Sequence, residues 1–187
     1  MKVVGRLLVP LLAAALAASC ASVTGRGAAA GGVDVTRTHL GQEIARAQIA
    51  VEPVDLADAN TPEFRAFAAA VERQLVRLGW TLAPDRTRSE QIARIDVQQG
   101  SRQALTSGWP PGLAPGGRDS NLVATLLDVR IQRRSDGTVA WQGRAVTEAQ
   151  AGSPAAERTA AVENLAEALF RDFPGESGRT VRLRLQE

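Results

Sequence analysis

Two long runs of alternating apolar residues, joined by Asp136-Gly137, constrain the fold more than any other feature of this sequence. The first run covers 121–133 and is apolar on both faces at its start, which is typical of a central strand. In the second run, one face holds Val139, Trp141, Gly143 and Ala145, and the other holds Gln142, Arg144 and Glu148. An Asp-Gly pair is typical of a two-residue turn. The sequence therefore predicts an antiparallel hairpin within a sheet.

Two segments carry apolar residues at the spacing of a helix that buries one face. The first is predicted to begin after Asn60 or Thr61 as N-cap, with Pro62 at the first helical position, and to end at Gly79. The second is predicted to open at 153–154 and to stop at 174–175. The apolar faces comprise Phe64, Phe67, Ala68, Val71, Leu75 and Leu78 in the first helix, and Val162, Leu165, Ala166, Leu169, Phe170 and Phe173 in the second.

Shorter alternating segments complete the predicted sheet at 33–35, 49–53, 92–98 and 181–185. A sheet made mostly of hairpins, together with two helices that each have one apolar face, predicts an α+β fold. We expect a single domain over 33–187, with both helices packed on one face of a mostly antiparallel, mixed sheet.

An irregular loop is predicted at 103–119, where Trp109 lies among three prolines and four glycines. A loop of this length inside a compact domain is either functional or a tolerated surface insertion, and the sequence leaves both possibilities open. Trp80 and Trp141 belong to apolar segments and are predicted to lie in the core. Trp109 is therefore the candidate residue for contact with a partner.

The first twenty residues have the pattern of an export signal. Lys2 and Arg6 provide positive charge, an apolar run follows, and small residues lead to Cys20, the only cysteine of the chain. This arrangement resembles a bacterial lipobox, although Ala17 stands where leucine is usual. We predict a signal peptide at 1–19 and a lipid-modified Cys20 as the first residue of the mature protein.

Two alternatives to lipidation of Cys20 are weaker. The apolar run is shorter than the roughly 20 residues that a transmembrane helix needs. An ordinary cleaved signal would leave a lone free thiol in an oxidising compartment, whereas an acylated cysteine is chemically inert. Several acyl chains on Cys20 would hold the protein on a membrane. The glycine- and alanine-rich segment 20–32 has no apolar face to bury and is predicted to be a flexible tether.

The charge balance argues against a nucleic-acid partner. Two of the 22 lysines and arginines lie in the signal peptide, so 20 remain in the mature chain to balance 20 aspartates and glutamates. A mature protein without net charge lacks the basic surface that nucleic-acid binding requires.

The residue types that carry most catalytic and metal chemistry are scarce. His39 is the only histidine, and the chain has no tyrosine. His39 is predicted to be a strand-end residue, and the glycine-rich segment 112–117 lacks the lysine of a phosphate-binding loop. Solvated charges without the spacing of a calcium loop are predicted at Asp55, Asp58, Glu90 and Asp96. We therefore expect no enzymatic activity, no catalytic or metal site and no cofactor.

The order of these segments resembles the bacterial lipoprotein family known as domain of unknown function 4136 (DUF4136). The resemblance spans 33–185 and is carried by the strand at 49–53, the helix end Leu78-Gly79-Trp80, the hairpin segment 136–143 and Phe173-Pro174. The Ser-Glu-Gln sequence at 89–91 departs from the Ala-Asp pair that often leads into the middle strand of that family. These motifs are structural, and the resemblance implies an envelope location and no known activity.

These observations support one leading functional expectation and one alternative. The leading expectation is a lipid-anchored envelope protein that binds or scaffolds a protein partner through a sheet face or the Trp109 loop. The alternative is a carrier or accessory subunit of an envelope transport system, with an apolar ligand between the helices and the sheet. The third possibility, a hydrolase, would need a cleft in which two carboxylates of raised pKa converge. Because no aspartate follows Cys20 at Ala21 or Ser22, we expect the periplasmic face of the outer membrane.

Replacing Cys20 by alanine tests the predicted anchor. The wild-type protein, isolated from membranes of a diderm bacterial host, is expected to have the mass of residues 20–187 plus acyl chains. Cys20→Ala is expected to lose both the added mass and membrane retention, as measured by intact mass spectrometry and cell fractionation. An unacylated wild-type protein in the soluble fraction would contradict the lipoprotein prediction.

Overall fold

The computed structural model describes residues 32–105 and 121–184. Its strands are β1 Gly32–His39, β2 Gln48–Pro53, β3 Thr81–Leu82, β4 Gln91–Gly100, β5 Leu122–Arg133, β6 Val139–Gln150 and β7 Thr180–Arg184. Its α-helices are α1 Pro62–Arg77, α2 Arg102–Leu105 and α3 Arg158–Phe170. Short 3-10 turns lie at Leu56–Asn60, Arg86–Arg88 and Pro154–Ala156.

The strands form one sheet in the order β3-β2-β4-β5-β6-β1-β7, with β5 at its centre as predicted. β2 pairs in parallel with β3 and β4, and the other neighbouring strands are antiparallel. α1 and α3 pack against each other and on the same face of the sheet. The predicted α+β fold is confirmed. Within 32–105 and 121–184, no helix is long and apolar enough to cross a membrane.

Aromatic side chains fill the space between the sheet and the two long helices. Trp141 is fully buried and stacks on Phe170, with 5.3 Å between the ring centroids. Phe173 lies 5.1 Å from Trp141 and makes an edge contact with Trp80 at 5.2 Å. The indole Nε1 of Trp141 donates a hydrogen bond to the carbonyl of Pro174 at 2.9 Å, so the buried polar atom is satisfied. Trp80 and Trp141 therefore lie in the core, as predicted.

α1 begins and ends where its sequence predicts. Thr61 caps the first turn, because its hydroxyl accepts a hydrogen bond from the backbone N–H three residues later at 3.1 Å. At the other end, Gly79 adopts a left-handed conformation with φ +98°. The N–H groups of Trp80 and Gly79 then donate to the carbonyls of Leu75 and Val76 at 3.0 and 2.9 Å. This pair of bonds is the predicted Schellman end.

α3 begins later than predicted and ends earlier. A 3-10 turn at Pro154–Ala156 follows Ser153. This turn does not continue into α3, because Glu157 adopts an extended backbone with φ −63° and ψ 131°. Glu157 then caps α3 by accepting a hydrogen bond from the N–H of Ala160 at 2.9 Å. The helix ends at Phe170, and Phe173 packs on the core from the segment that follows. The predicted continuous helix from 153 to 174 is wrong at both ends.

The hairpin between β5 and β6 is present, but its predicted two-residue turn is wrong. That turn type needs positive φ at both central residues, and only Gly137 has it, at +70°. Asp136 instead accepts a hydrogen bond from the N–H of Thr138 at 2.9 Å, and the turn spans 134–137. Pairing shifts by one residue beside the turn, which leaves Val139, predicted on the buried face, 41% exposed.

The predicted irregular loop at 103–119 is also corrected at its start. Residues 102–105 form α2, a single helical turn that packs on β4 and β5. Ser101 begins this turn by accepting a hydrogen bond from the N–H of Ala104 at 3.3 Å. The rest of the loop, from 106 onward, lies outside the described residues.

Replacing Gly143 by alanine is expected to destabilise the protein by about 1–3 kcal/mol, because the new methyl group overlaps the Trp141 ring and lies 2.7 Å from Leu169 Cδ1. Gly100→Ala is the matched control, since its methyl group would lie 3.9 Å from Leu105 in ordinary contact. Urea unfolding of the two variants measures the difference. Equal stability of Gly143→Ala and wild type would contradict the tight packing of β6 on α3.

Candidate binding face

The face of the sheet opposite α1 and α3, which we call the open face, carries most of the polar residues of the strands together with a few buried apolar side chains such as Ile92 and Leu126. Because side chains alternate across a strand, the residues between the core positions all lie on this face. Cross-strand pairing brings together Asp34, Thr36, Glu52, Arg94, Asp96, Asp128, Arg130, Gln142, Arg144 and Glu148.

α2 covers one end of the open face. Its Leu105 packs on a small apolar cluster made of Ala124, Leu126 and Val146. Arg102 is only 8% exposed and contacts carboxylates of two strands, Asp34 on β1 and Glu148 on β6, the latter at 3.2 Å. This buried contact links α2 to the sheet, and loss of either carboxylate would leave buried charge uncompensated.

Among residues 32–105 and 121–184, no helix covers the other end of the open face. This end carries an arginine patch, defined as Arg94, Arg130 and Arg144 around Asp128. Asp128 is 4% exposed, and its Oδ2 accepts hydrogen bonds from Nε of Arg144 at 2.6 Å and from Gln142 at 2.9 Å. Its Oδ1 lies 3.2 Å from Nε of Arg130. Asp128 thus holds Arg144 by a hydrogen bond and Arg130 by charge alone, because Nε of Arg130 makes no hydrogen bond within the described residues. Of the side chains, 37% of Arg144 and 43% of Arg130 stay exposed.

Arg94 differs from the other two arginines because no carboxylate of residues 32–105 or 121–184 forms an ion pair with it. It lies directly across from Arg130 on β5 and from Glu52 on β2. Glu52 is engaged by Arg134 at 2.6 Å. Within the described residues, the buried Nε of Arg94 has no hydrogen-bond acceptor, and Arg94 makes no ion pair. A buried donor without a partner costs about 1–3 kcal/mol, and two like charges directly opposite each other are also unfavourable.

The two residues singled out from the sequence, Cys20 and Trp109, lie outside the described residues. Their predicted roles, as lipid-bearing residue and partner contact, stay predictions.

His39 lies in the last position of β1 and has a structural role. Its Nδ1 accepts a hydrogen bond from the N–H of Gly41 at 3.1 Å, and Nε2 donates to the carbonyl of Gly175 at 2.9 Å. Two residues earlier, Arg37 is buried and donates to the carbonyls of Leu169 and Ala168, at 2.9 and 3.1 Å, at the end of α3. Burial lowers the pKa of Arg37 below its usual value, and the charge of Asp172 opposes that shift.

Three of the four acidic residues considered from the sequence lie together in space. Asp55, Asp58 and Asp96 line one cleft of about 390 Å³, beyond the end of β2 and beside the first turn of α1. Glu90 lies elsewhere and accepts a hydrogen bond from Ser135 in the hairpin turn. The cleft also contains Arg158, which pairs with Glu63 at 2.7 Å.

Sequence reasoning missed the arginine patch. The signal was present as charged residues two apart within otherwise apolar strands, Arg94 with Asp96 and Asp128 with Arg130. Such pairs are usually read as a solvated face. Only the register of β4, β5 and β6 shows that Arg94 faces Arg130, and that Arg144 faces Asp128.

Comparison with known proteins gives distant similarities. No family model matches the sequence. An uncharacterized protein of Zymomonas mobilis is 24% identical, in an alignment that covers 81% of this chain and 80% of the relative. Among solved structures, the chain is similar to a DUF4136 family protein from Bacteroides thetaiotaomicron, with 14% identity, a TM-score of 0.41 and coverage of 75% of this chain and 95% of that one. This is the family that the sequence motifs resemble.

A second solved structure is a candidate lipoprotein from Caulobacter crescentus. It is 16% identical, with a TM-score of 0.31, and the match covers 65% of this chain and 82% of that one.

Replacing Asp128 by asparagine is expected to lower the free energy of unfolding by about 1.5–3 kcal/mol, because two arginines lose the charge that orients them. Asp96→Asn is the matched control. Asp96 lies directly across from Asp128 and accepts a hydrogen bond from Gln98 at 2.6 Å, but it has no arginine partner within 32–105 and 121–184. Its replacement is expected to change stability by less than about 0.5 kcal/mol. Similar effects of both variants in thermal or urea unfolding would contradict a special role for Asp128.

Proposed function

We propose that this chain is a lipid-anchored, non-enzymatic protein of the cell envelope that binds a partner through the end of its open face that carries the arginine patch. The observation that carries the proposal is the arginine patch. A buried carboxylate, Asp128, orients Arg130 and Arg144 while leaving more than a third of each side chain exposed. Prearranged charged groups on a rigid sheet reduce the entropy cost of binding.

The position of Gly32, where the chain enters the domain, is consistent with a partner that binds at a distance from the membrane anchor. Gly32, the first residue of β1, lies at the end of the open face that α2 covers, next to the level of Glu148. Thr36 and Thr38 lie at the level of Arg144 and Gln142. At about 3.3 Å per residue, the arginine patch is therefore roughly 13–20 Å along β1 from the attachment point of the predicted tether. A domain attached at Gly32 can present the patch away from the membrane.

The predicted lipid on Cys20 and the resemblance of the sequence motifs to an envelope lipoprotein family support the location. The proposed position on the periplasmic face of the outer membrane rests only on the absence of aspartate at the two residues after Cys20.

The carrier alternative has weaker support. Its ligand would need space between the helices and the sheet, where Trp141, Phe170 and Phe173 pack against one another. The cleft of about 390 Å³ lies beside that core, and carboxylates line much of it. Such a lining disfavours an apolar ligand.

Site-specific photo-crosslinking in cells tests the proposal. A photoreactive amino acid at Thr38, which is exposed on the open face beside Gln142, is expected to give a discrete cross-linked product with a partner protein. The same amino acid at Val76, which is 50% exposed on the outer side of α1, is the matched control and is expected to give none. A product from Val76 but not from Thr38 would overturn the open face as the binding surface.

A further inference from the structure

We infer that the arginine patch binds a carboxylate group from an acidic segment of a protein partner. This inference rests on the proposed function and adds the chemistry of the partner to it. The site consists of Arg94, Arg130 and Arg144, and Asp128 is the positioning residue beneath them.

The hydrogen-bonding capacity of the patch is only partly used within the protein. Asp128 accepts a hydrogen bond from Nε of Arg144 and pairs with Arg130 by charge alone, and more than a third of each side chain stays exposed. Arg94 contributes a guanidinium that no described carboxylate engages and a buried Nε without an acceptor. An arginine guanidinium presents planar pairs of N–H groups that match the two oxygens of a carboxylate. One incoming carboxylate would bind the N–H groups that stay accessible on these half-buried arginines.

The charge of the surroundings favours a singly charged group. The patch and its neighbours contain the cations Arg94, Arg130, Arg134 and Arg144, and the anions Glu52, Asp96 and Asp128. One positive charge therefore remains, which matches a single carboxylate. A phosphate group carrying nearly two negative charges would exceed this excess and would lie close to Asp96 and Asp128.

The side chains around the patch favour a peptide as the source of the carboxylate. Acidic sugars also carry carboxylates, but proteins usually bind sugar rings by stacking them on exposed aromatic side chains. All four phenylalanines, together with Trp80 and Trp141, lie on the helix side of the sheet in the core. Within the described residues, the open face offers hydroxyl, amide and charged groups instead. An extended acidic peptide fits such a surface better than a sugar polymer.

Binding of a fluorescent hexaglutamate peptide to the detergent-solubilised mature protein tests the inference. Fluorescence anisotropy at low salt gives the Kd for wild type, Arg94→Gln and Arg88→Gln. Arg94→Gln is expected to weaken binding about tenfold, because one charged hydrogen-bonding pair is lost. Arg88→Gln removes the same charge from a side chain that is 87% exposed in a 3-10 turn outside the patch, and it is expected to change Kd less than twofold.

Competition experiments identify the ligand class. Inorganic phosphate is expected to displace hexaglutamate poorly at matched charge concentration, and hexagalacturonate is expected to bind more weakly than hexaglutamate. Strong displacement by phosphate would overturn the carboxylate assignment, and tighter binding of hexagalacturonate would overturn the protein partner. Equal weakening by Arg88→Gln and Arg94→Gln, or no binding by wild type, would overturn the site.

Two controls keep the result interpretable. Arg94→Gln removes one of two arginines that face each other, so the melting temperature is expected to stay the same or rise, and a large fall would show that Arg94 is structural. Cross-linking from Thr38 in the Arg94→Gln variant separates the two proposals. If hexaglutamate does not bind while the Thr38 product persists, the carboxylate inference fails and the binding surface stands.

Discussion

Burial of the Trp141 indole between β6 and α3 is the constraint on which the described domain depends. A side chain of this size needs space, and Gly143 provides it two residues later on the same face of the strand. The indole also needs an acceptor for its N–H group, and the carbonyl of Pro174 supplies one from the segment after α3. Stacking on Phe170 and contact with Phe173 then join the helix and that segment to the sheet. His39 of β1 holds the same segment through the carbonyl of Gly175, and Arg37 of β1 holds the end of α3, so distant parts of the chain form one unit around one aromatic cluster.

Covering one face of the sheet leaves the other face to the polar residues of the same strands. Their charges are not scattered, because buried Asp128 and Asp34 each hold arginines from neighbouring elements. Buried ion pairs seldom add much net stability, since desolvation offsets most of the attraction, but losing one partner is costly. We interpret the two carboxylates as determinants of geometry. Asp34 helps to fasten α2 over one end of the open face, and Asp128 orients the arginines at the other end.

The elements that could be predicted from the sequence are those whose ends are defined by hydrogen bonds between residues only a few positions apart. Thr61 and Gly79 delimit α1 because both the cap and the left-handed turn use backbone groups of the adjacent turn. Prediction failed where the sequence allows two alternative local hydrogen-bonding arrangements. Glu157 caps α3 better than Ser153, whose hydroxyl makes no capping bond. Asp136 bonds to Thr138 instead of adopting the positive φ of a two-residue turn.

The sequence by itself determined the order of the two long helices and of six of the seven described strands, the central position of β5, and the core positions of Trp80 and Trp141, because these follow from periodicity and short-range bonding. It did not indicate the two-residue strand β3 or the single helical turn α2. Only the tertiary structure decided which charges meet. Arg94 and Arg130 are 36 positions apart, and their side-by-side placement follows from the register of β4 on β5. That register depends on packing of the whole sheet against α1 and α3, which no local pattern encodes.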